Sequence, residues 1–212
     1  MVNNVKKYEA EVKEYKVIVK YDANVYNETE INNDKHMEKL KVDGKAYKNR
    51  LEYEGIWDKN NNKRLTYILF NPSTANQYCP DPTISNCIKI TKALKEKYGG
   101  IIVYNTFTVR HPDVKTAISK IDITYEKKYN SIFRLSENEK VKDIVVAWGN
   151  DVKKLDKEYV DMIKDSIIKS KRNIFAFRLN TDGETPTHPG PNCNRYVKDF
   201  CENPKLKKYF FK

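Results

Sequence analysis

Short apolar segments alternate with longer amphipathic segments along most of this sequence. Four apolar runs are present: Tyr67 to Phe70, Ile101 to Tyr104, Ile144 to Trp148, and Ile174 to Phe177. Unbroken runs of this kind are typical of strands buried on both faces of a sheet. Helical periodicity covers the segments between and after them: Thr83 to Tyr98, Ile118 to Leu135, Lys153 to Ser170, and Asn192 to Glu202. This alternation predicts an α/β fold, a three-layer α/β/α sandwich with a mostly parallel central sheet.

The N-terminal quarter has a different pattern. Tyr15 to Tyr21 alternates well enough for a strand, but Asp22 to Gly44 is rich in charged and turn-forming residues, which predicts a peripheral hairpin and a mobile loop. Leu51 to Trp57 and Arg64 to Phe70 flank an Asn-rich turn and predict a β-hairpin. We therefore expect an N-terminal β-hairpin and loop extension over residues 1–50 and an α/β domain over residues 51–212.

Length and hydropathy narrow the class of protein. The 212 residues suit one domain, and no stretch approaches the roughly 18 apolar residues that a membrane span needs. The sequence begins with Met1-Val2-Asn3-Asn4, which lacks the pattern of a signal peptide. We expect a cytoplasmic protein without a membrane partner.

The charge balance points to a class of partner. The chain carries 40 Lys and Arg against 29 Asp and Glu, a formal net charge of +11. This favours a polyanionic partner, nucleic acid or a nucleotide. The alternative is a solvated basic surface that reflects only a Lys-rich and Asn-rich composition.

The cysteines form two evenly spaced pairs, Cys79 with Cys87 and Cys193 with Cys201. Neither pair has the close spacing of zinc ligands, and nothing indicates secretion, so we expect reduced structural thiols. A four-cysteine metal or iron–sulfur site is the alternative, if the pairs meet in space.

Polar residues follow each apolar run, and in a parallel sheet they would meet at one edge, where open α/β sheets bind ligands. After the first run, Pro72 holds Asn71 outside the helical conformation. We expect Asn71 and the following backbone N–H groups to hold a ligand oxygen or a water molecule. The residues assigned to ligand binding in this turn are Pro72, Ser73 and Thr74.

Two further strand ends contribute candidates. Asn105 ends the second run, and its amide offers the donor and the acceptor needed to read a pyrimidine edge. Phe107 either stacks on a base or belongs to the core, and Arg110 follows in the same segment. Trp148 ends the third run and Asn150 follows it, and we expect both to form scaffold that can also supply an edge of the site.

The most unusual segment runs from Asp182 to Pro191, after the fourth run. Two glycines and three prolines surround a single histidine, His188. We expect His188 to donate to an oxyanion, with Asp182 orienting it or activating water, and Asn180 and Pro189 beside the ligand. Asp81, which precedes the first helix, is the other candidate carboxylate. None of these residues has metal-ligand spacing, and no Gly-rich phosphate loop is present, so no metal or cofactor is expected.

These motifs resemble two families. Five of them look like the domain of unknown function 1643 family of bacteria and phages: Leu69 to Ala75, Asp81 to Thr83, Val103 to Asn105, Ala147 to Gly149, and Leu179 to Pro189. A more distant resemblance is to the uracil-DNA glycosylase superfamily. It implies that Asn71 positions the hydrolytic water, Asn105 reads the base, and His188 stabilises the departing base anion. Gly190 stands where that superfamily has a serine.

The sequence therefore predicts an N-glycosidic hydrolase, a DNA glycosylase-like enzyme that acts on a base in nucleic acid or in a nucleotide. A second possibility is a non-catalytic module that binds a nucleotide, a modified base or a nucleic-acid end, for instance in conflict between phage and host. A third is a metal-dependent phosphodiesterase or nuclease that uses Asp81, Asp182 and His188.

Overall fold

A computed structural model describes residues 5–12, 14–34, 36–72, 74–95 and 97–211 of the chain. It confirms the predicted α/β class, with one large sheet of eight strands. These strands are β1 (Val5–Val12), β2 (Tyr15–Asp22), β5 (Arg50–Ile56), β6 (Arg64–Leu69), β7 (Gly100–Asn105), β8 (Val141–Val146), β9 (Asn173–Ala176) and β10 (Lys207–Lys208). A separate two-stranded ribbon consists of β3 (Lys41–Val42) and β4 (Lys45–Ala46).

Six α-helices lie within the described residues. They are α1 (Glu28–Asn32), α2 (Pro82–Ala93), α3 (Val114–Ser119), α4 (Ile123–Tyr129), α5 (Lys157–Lys169) and α6 (Asn194–Glu202). Short 3-10 helices cover Met37–Leu40, Ser131–Glu137, Asn150–Lys154 and Pro191–Cys193. None of the helices in the described part of the chain is long and apolar enough to cross a bilayer.

The sheet is mixed rather than mostly parallel. Its order is β1-β2-β5-β7-β6-β8-β9-β10, and only the pairs β6 with β7, β6 with β8, and β8 with β9 are parallel. Antiparallel strands extend both sides of this parallel centre. The short connection between β1 and β2 permits only antiparallel pairing, because a parallel pair needs a crossover of a dozen or more residues.

The predicted hairpin between β5 and β6 is wrong. Strand β7 lies between them, antiparallel to β5 and parallel to β6. The connection from Asp58 to Lys63 therefore passes over the start of β7, where the carbonyl of Gly99 accepts from the backbone N–H groups of Trp57 and Asp58. A side chain on Gly99 would overlap the Asn61 carbonyl, and one on Gly100 would overlap the Gly55 carbonyl. The two glycines allow this close crossing. Helix α2, which was predicted to extend from Thr83 to Tyr98, ends at Ala93 and so does not reach them.

Alternate residues of β6 and its extension contribute to different apolar clusters. Leu65, Tyr67 and Leu69 belong to a cluster that includes Ile84 and Cys87 of α2 and Val197 and Phe200 of α6. Ile68 and Phe70 belong to a second cluster that includes Ile163 and Ile167 of α5. Because successive side chains of a strand point to opposite faces, β6 is buried on both sides, as its unbroken apolar run predicts.

The N-terminal hairpin of β1 and β2 joins the same sheet through the pairing of β2 with β5. Residues 22–44, predicted to be a hairpin and loop, instead include α1 and the 3-10 helix Met37–Leu40. Four apolar residues of this segment form a small cluster with Ala46: Tyr26, Ile31, Met37 and Leu40. The predicted domain boundary at residue 50 stays a prediction.

Candidate functional site

The carboxyl ends of β7, β6 and β8 lie side by side. Leu69 pairs with Asn105, and the backbone N–H of Ala147 donates to the Ile68 carbonyl at 2.9 Å. The hydroxyl of Thr106 donates to the Phe70 carbonyl at 2.5 Å, which secures the end of β6. The chain connects β6 to β7 on one side and then returns to β8 on the other side. This reversal of strand order is the place where open α/β sheets bind ligands.

The Asn71 turn leaves the sheet between these neighbours. Pro72 is buried, Asn71 is half-buried, Thr74 is exposed, and Ser73 lies outside the described residues. The amide of Asn71 makes one long hydrogen bond, from Nδ2 to the Pro72 carbonyl at 3.4 Å. Its side chain is thus weakly committed within the described protein and is free to hold a ligand or a water molecule.

Asn105 is held in one orientation by an arginine. Nη2 of Arg50 donates to Oδ1 of Asn105 at 3.1 Å, and Nη1 of Arg50 donates to the Ala75 carbonyl at 3.2 Å. A guanidinium carries only donors, so the amide atom that faces it must be the oxygen. Nδ2 of Asn105 has no partner among the described residues, although the residue is only 4% exposed. Asn105 therefore offers a buried, unused donor.

The residues that directly follow Asn105 are buried in the protein interior. Phe107 is fully buried and packs edge to face on Phe70, with ring centroids 5.3 Å apart, so the structure places it in the core rather than beside a ligand. Glu126 accepts from the Thr108 hydroxyl at 2.7 Å and from the Asn130 amide at 2.8 Å. Burial raises the pKa of the Glu126 carboxyl. Arg110 is fully buried among N-terminal residues.

His188 sits in a close-fitting cradle. A side chain on Gly149 would come within 2.9 Å of its Cβ, and one on Gly190 within 3.1 Å of its Nδ1. Gly149 has a φ of +70°, which favours glycine, and Asn86 Nδ2 donates to the Pro189 carbonyl at 3.0 Å. The imidazole thus has a fixed position, and a serine at position 190 would press against it.

The electrostatic surroundings of His188 come from two carboxylates. Burial lowers the pKa of His188, and the charges of Asp81 and Asp151 act in the opposite direction. Asp81 also favours the charged form of Arg50, so its charge acts on both residues. Its side chain caps α2 and accepts from the Ile84 N–H at 2.7 Å. The net result is an imidazole that stays neutral at neutral pH.

Asp182 has a different setting from the one expected. It accepts from the Glu184 and Thr185 N–H groups and from the Thr185 hydroxyl, and it forms an ion pair with Lys153 at 3.4 Å. These bonds, led by the Thr185 hydroxyl, lower the pKa of Asp182. Its charge is not among those that shift the pKa of His188. The observed role of Asp182 is to fix a turn.

The segments that follow β8 and β9 are linked by side chains. Trp148 and Asn150 follow β8, and Asn180 follows β9. Nδ2 of Asn180 donates to Oδ1 of Asn150 at 3.0 Å, and the Thr187 hydroxyl donates to Oδ1 of Asn180 at 2.8 Å. Trp148 is buried against Phe211, with ring centroids 5.7 Å apart. This network holds the segment before His188. A separate cavity of about 570 Å³ adjoins Trp148, Leu179 and Pro186, and its described lining includes neither Asn71, Asn105 nor His188.

No group of three or more His, Cys, Asp or Glu side chains is placed to hold a metal ion within the described ranges. The four cysteines do not come together there. Cys87 is buried, which raises the pKa of its thiol, and the Cys193 thiol donates to the His188 carbonyl at 3.0 Å. The arrangement of Asp81, Asp182 and His188 that a metal-dependent nuclease would need is likewise not found among these residues.

Three residues that contact or act on the site were not identified from sequence, namely Arg50, Asn86 and Asp151, and neither was the buried Gln77, which follows the Asn71 turn in the chain. Gln77 is fully buried, and neither of its amide atoms has a partner in the part of the chain that the structure describes. The one local signal in the sequence is Asn86, a polar residue directly before Cys87 and Ile88 of the apolar stripe of α2. Arg50 is the first residue of β5 and its partner Asn105 lies 55 residues away, so no local pattern identifies it.

Comparison with known proteins identifies the family of the chain. Residues 50–190 match the model of a family described as "Protein of unknown function (DUF1643)". The matched residues make up more than half of the chain. No curated protein matches the sequence. No solved structure matches it either.

Proposed function

Because the chain belongs to the DUF1643 family, whose function is unknown, we propose its activity from the site: it is an N-glycosidic hydrolase that acts on a base in nucleic acid or in a nucleotide. The observation that carries this proposal is the unpartnered amide donor of Asn105 at the sheet edge from which the Asn71 turn leaves. A base placed against that donor would satisfy the one polar group of Asn105 that lacks a partner among the described residues.

The proposed reaction breaks the bond between the sugar carbon and the base nitrogen. Water attacks the sugar carbon, and the electron pair of the broken bond leaves with the base. Asn71 orients the water through its amide but cannot accept the proton, because an amide is not a base at neutral pH. We assign proton acceptance to Asp81, the carboxylate whose charge acts on both His188 and Arg50.

His188 stabilises the departing base in this proposal. A neutral imidazole has one N–H, which can donate to the oxygen or nitrogen that carries the developing negative charge. Burial keeps the pKa of His188 low and holds it in this form. A donor of this kind is commonly worth about 2.7–4 kcal/mol of transition-state stabilisation. The cradle of Gly149 and Gly190 fixes the direction of the donor.

Three finer proposals accompany the activity. The helices would form separate layers on the two faces of the sheet, as in uracil-DNA glycosylases, and the two apolar clusters around β6 support this arrangement. The net charge of +11 supports nucleic acid or a nucleotide as the partner. We also propose a cytoplasmic location, where nucleic acids and nucleotides are accessible.

The test is a mass-spectrometric screen for free base. The purified protein is incubated with single-stranded and double-stranded DNA that carries uracil, mismatches or hypermodified bases. We expect release of one base by the wild type, a loss of about 100-fold in His188→Ala and Asn71→Ala, and no loss in the exposed control His36→Ala. Equal release by wild type and His188→Ala would contradict the mechanism.

A non-catalytic binding module is the second candidate. The observation that favours it is that Asp81 already accepts a hydrogen bond from the Ile84 N–H, which weakens its capacity to take a proton from water. In that case the screen detects no free base, and a nucleotide or modified base remains bound to the purified wild type. Asn105→Ala would then lose the bound molecule.

A further inference from the structure

Arg110 is a buried cation in an unusual setting. Its side chain is 0% exposed, and its guanidinium lies over the ring of Tyr21, 5.0 Å from the centroid. Nη1 donates to the Leu40 carbonyl at 3.1 Å and to the Tyr47 carbonyl at 3.5 Å. The backbone is also fixed, because the Arg110 N–H donates to the Lys48 carbonyl at 2.7 Å.

One edge of this guanidinium has no partner. Nε and Nη2 of Arg110 are both buried, and neither donates to any group in the described residues. The N–H groups of Nε and Nη2 point the same way along one edge of the planar group, which is the edge that binds two oxygens of a single oxyanion. Arginines buried without a carboxylate are rare, since an unpaired charge is costly to remove from water.

A second buried arginine lies near the first. Arg50 is only 2% exposed. Burial is the main effect that lowers the pKa of Arg110, and the charge of Arg50 lowers it further. The pKa of Arg110 is still about 10, so its guanidinium is a cation at neutral pH, and arginines such as Arg50 are not deprotonated in proteins. No carboxylate forms an ion pair with Arg110 among the described residues. The hydroxyl of Tyr21 has no hydrogen-bond partner there either. Burial raises the pKa of this hydroxyl, and the charges of Arg110 and Arg50 act in the opposite direction. Within the part of the chain that the structure describes, two like charges therefore lie together and Arg110 has no anion of its own.

We propose that Arg110, with Arg50 and Tyr21 beside it, forms a buried subsite for a phosphate group. A phosphate dianion matches the two positive charges, and two of its oxygens match the free edge of Arg110. The subsite is separate from the proposed base-release chemistry but adjoins it, because Arg50 also holds Asn105. The phosphate can belong to a nucleotide bound at Asn105 or to free inorganic phosphate.

A cavity is lined by residues that are close in sequence to those of the subsite. This cavity of about 460 Å³ is lined by Asp34, His36, Lys39, Thr74, Pro112 and Asp113. Pro112 is two residues from Arg110, and Thr74 adjoins Ala75, whose carbonyl accepts from Arg50. We expect the phosphate to enter from this side of the molecule, although the described lining of the cavity includes neither Arg110 nor Arg50.

The experiment measures thermal unfolding in phosphate-free buffer at constant ionic strength. Inorganic phosphate, sulfate, a nucleoside 5′-monophosphate and the corresponding nucleoside are added in separate titrations. We expect phosphate to raise the melting temperature of the wild type, and Arg110→Met to weaken this response at least tenfold. Arg110→Met without phosphate should be no less stable than the wild type, because the substitution removes an unpaired buried charge. The exposed control Arg195→Met should respond like the wild type.

The titrations also identify the source of the phosphate. A stronger response to the monophosphate than to inorganic phosphate, with none to the nucleoside, supports a nucleotide phosphate. Equal responses to the monophosphate and inorganic phosphate support a site for the free anion. Both outcomes support the subsite, and neither depends on base release.

Two results would overturn the proposal. One is an equal phosphate response in Arg110→Met and the wild type, and the other is no response of the wild type to any oxyanion. If Arg110→Met does not fold, the guanidinium Nε–H resonance of Arg110 is followed in ¹⁵N-labelled wild type, with Arg110→Lys for assignment. A resonance that does not move with phosphate then contradicts the proposal.

Discussion

The orientation of the Asn105 amide is decided by Arg50, and it can be tested with one substitution. Asn105→Asp keeps an oxygen toward Arg50 but replaces the buried Nδ2 donor by a second acceptor. We expect a loss of base release or ligand affinity of about 10–100-fold, because a lost hydrogen bond in a site built for it costs about 1.5–3 kcal/mol. Base release and ligand titration measure this loss.

Stability separates the ligand-binding role of Asn105 from its structural one. Asn105→Asp should unfold in denaturant within about 2 kcal/mol of the wild type, since the new carboxylate pairs with Arg50. Asn105→Ala removes the acceptor for the Arg50 Nη2 donor and should cost about 1–3 kcal/mol more. Full ligand affinity in a folded Asn105→Asp protein would contradict the assigned donor role.

The lowered pKa of His188 predicts how stability depends on pH. The unfolded histidine titrates near 6.5, and the folded one titrates lower. Between these values the unfolded state binds more protons, so stability is full above pH 6.5 and is lost as pH falls through the folded pKa. We expect the free energy of unfolding to fall more steeply in the wild type than in His188→Gln when pH drops from 7.5 to 5. Parallel curves for the two proteins would show that burial does not shift the histidine.

At the scale of single residues, the sequence identified the site residues that lie at or just after the end of a strand. Asn71 and Asn105 end or follow apolar runs, and His188 stands alone in a rigid loop. The sequence did not reveal that Arg50 orients Asn105, because their contact joins residues 55 positions apart. It also suggested Asp182 as the partner of His188, although local hydrogen bonds turn that carboxylate toward Thr185 and Lys153. Side-chain direction in a loop is set by such bonds and is not visible in spacing.

The crossing of the β5–β6 connection over β7 depends on glycine. Gly100→Ala places a methyl group on the Gly55 carbonyl and close to Arg64, at 2.9 Å from its Cδ. We expect a loss of about 2–3 kcal/mol in the free energy of unfolding, since overpacking in a rigid region of backbone is poorly relieved. Denaturant titration measures it.

Gly55→Ala is the matched control for that substitution. Its added Cβ would lie 3.5 Å from Ile101 and 3.7 Å from Tyr15, which are ordinary contact distances. We expect a change below about 1 kcal/mol. Equal losses in both variants would mean that the crossing is not the source of the strain.

Helix α2 gives Asp81 two separable functions, as a cap and as a charge. Asp81→Ala removes the acceptor for the Ile84 N–H and should cost about 1 kcal/mol, whereas Asp81→Asn keeps a capping oxygen and most of the stability. Both variants remove a charge that favours protonated His188. NMR titration of His188 should therefore show a further decrease of its pKa in both. An unchanged histidine titration in Asp81→Asn would place Asp81 too far away to act in the site.

At the level of elements, periodicity predicted the buried strands well because burial on both faces leaves an unbroken apolar run. Strand pairing was not predictable in the same way. Arg50–Ile56 and Arg64–Leu69 have the pattern of a hairpin, but β7, which follows later in the chain, pairs with both. Two extended segments beside a turn do not reveal a third strand that separates them.

The net charge of the whole molecule predicts salt-dependent association with nucleic acid. With +11 overall, we expect the affinity for a DNA oligonucleotide to fall about tenfold or more between 50 and 200 mM salt, as phosphate contacts release counterions. Fluorescence anisotropy measures this dependence. A peptide nucleic acid of the same base sequence lacks phosphates and should show a much weaker dependence. The same salt response for both probes would indicate that the basic residues only solvate the surface.

The insertion of β7 between β5 and β6 also has a consequence for protein synthesis. When residues 50–69 have left the ribosome, the two strands cannot yet pair as they do in the final sheet, because residues 100–105 are still to be made. Each strand then presents open backbone edges, the feature that promotes association between nascent chains. Ribosome pausing before Asn105 would prolong this exposure, so slow codons in that stretch would reduce the soluble yield.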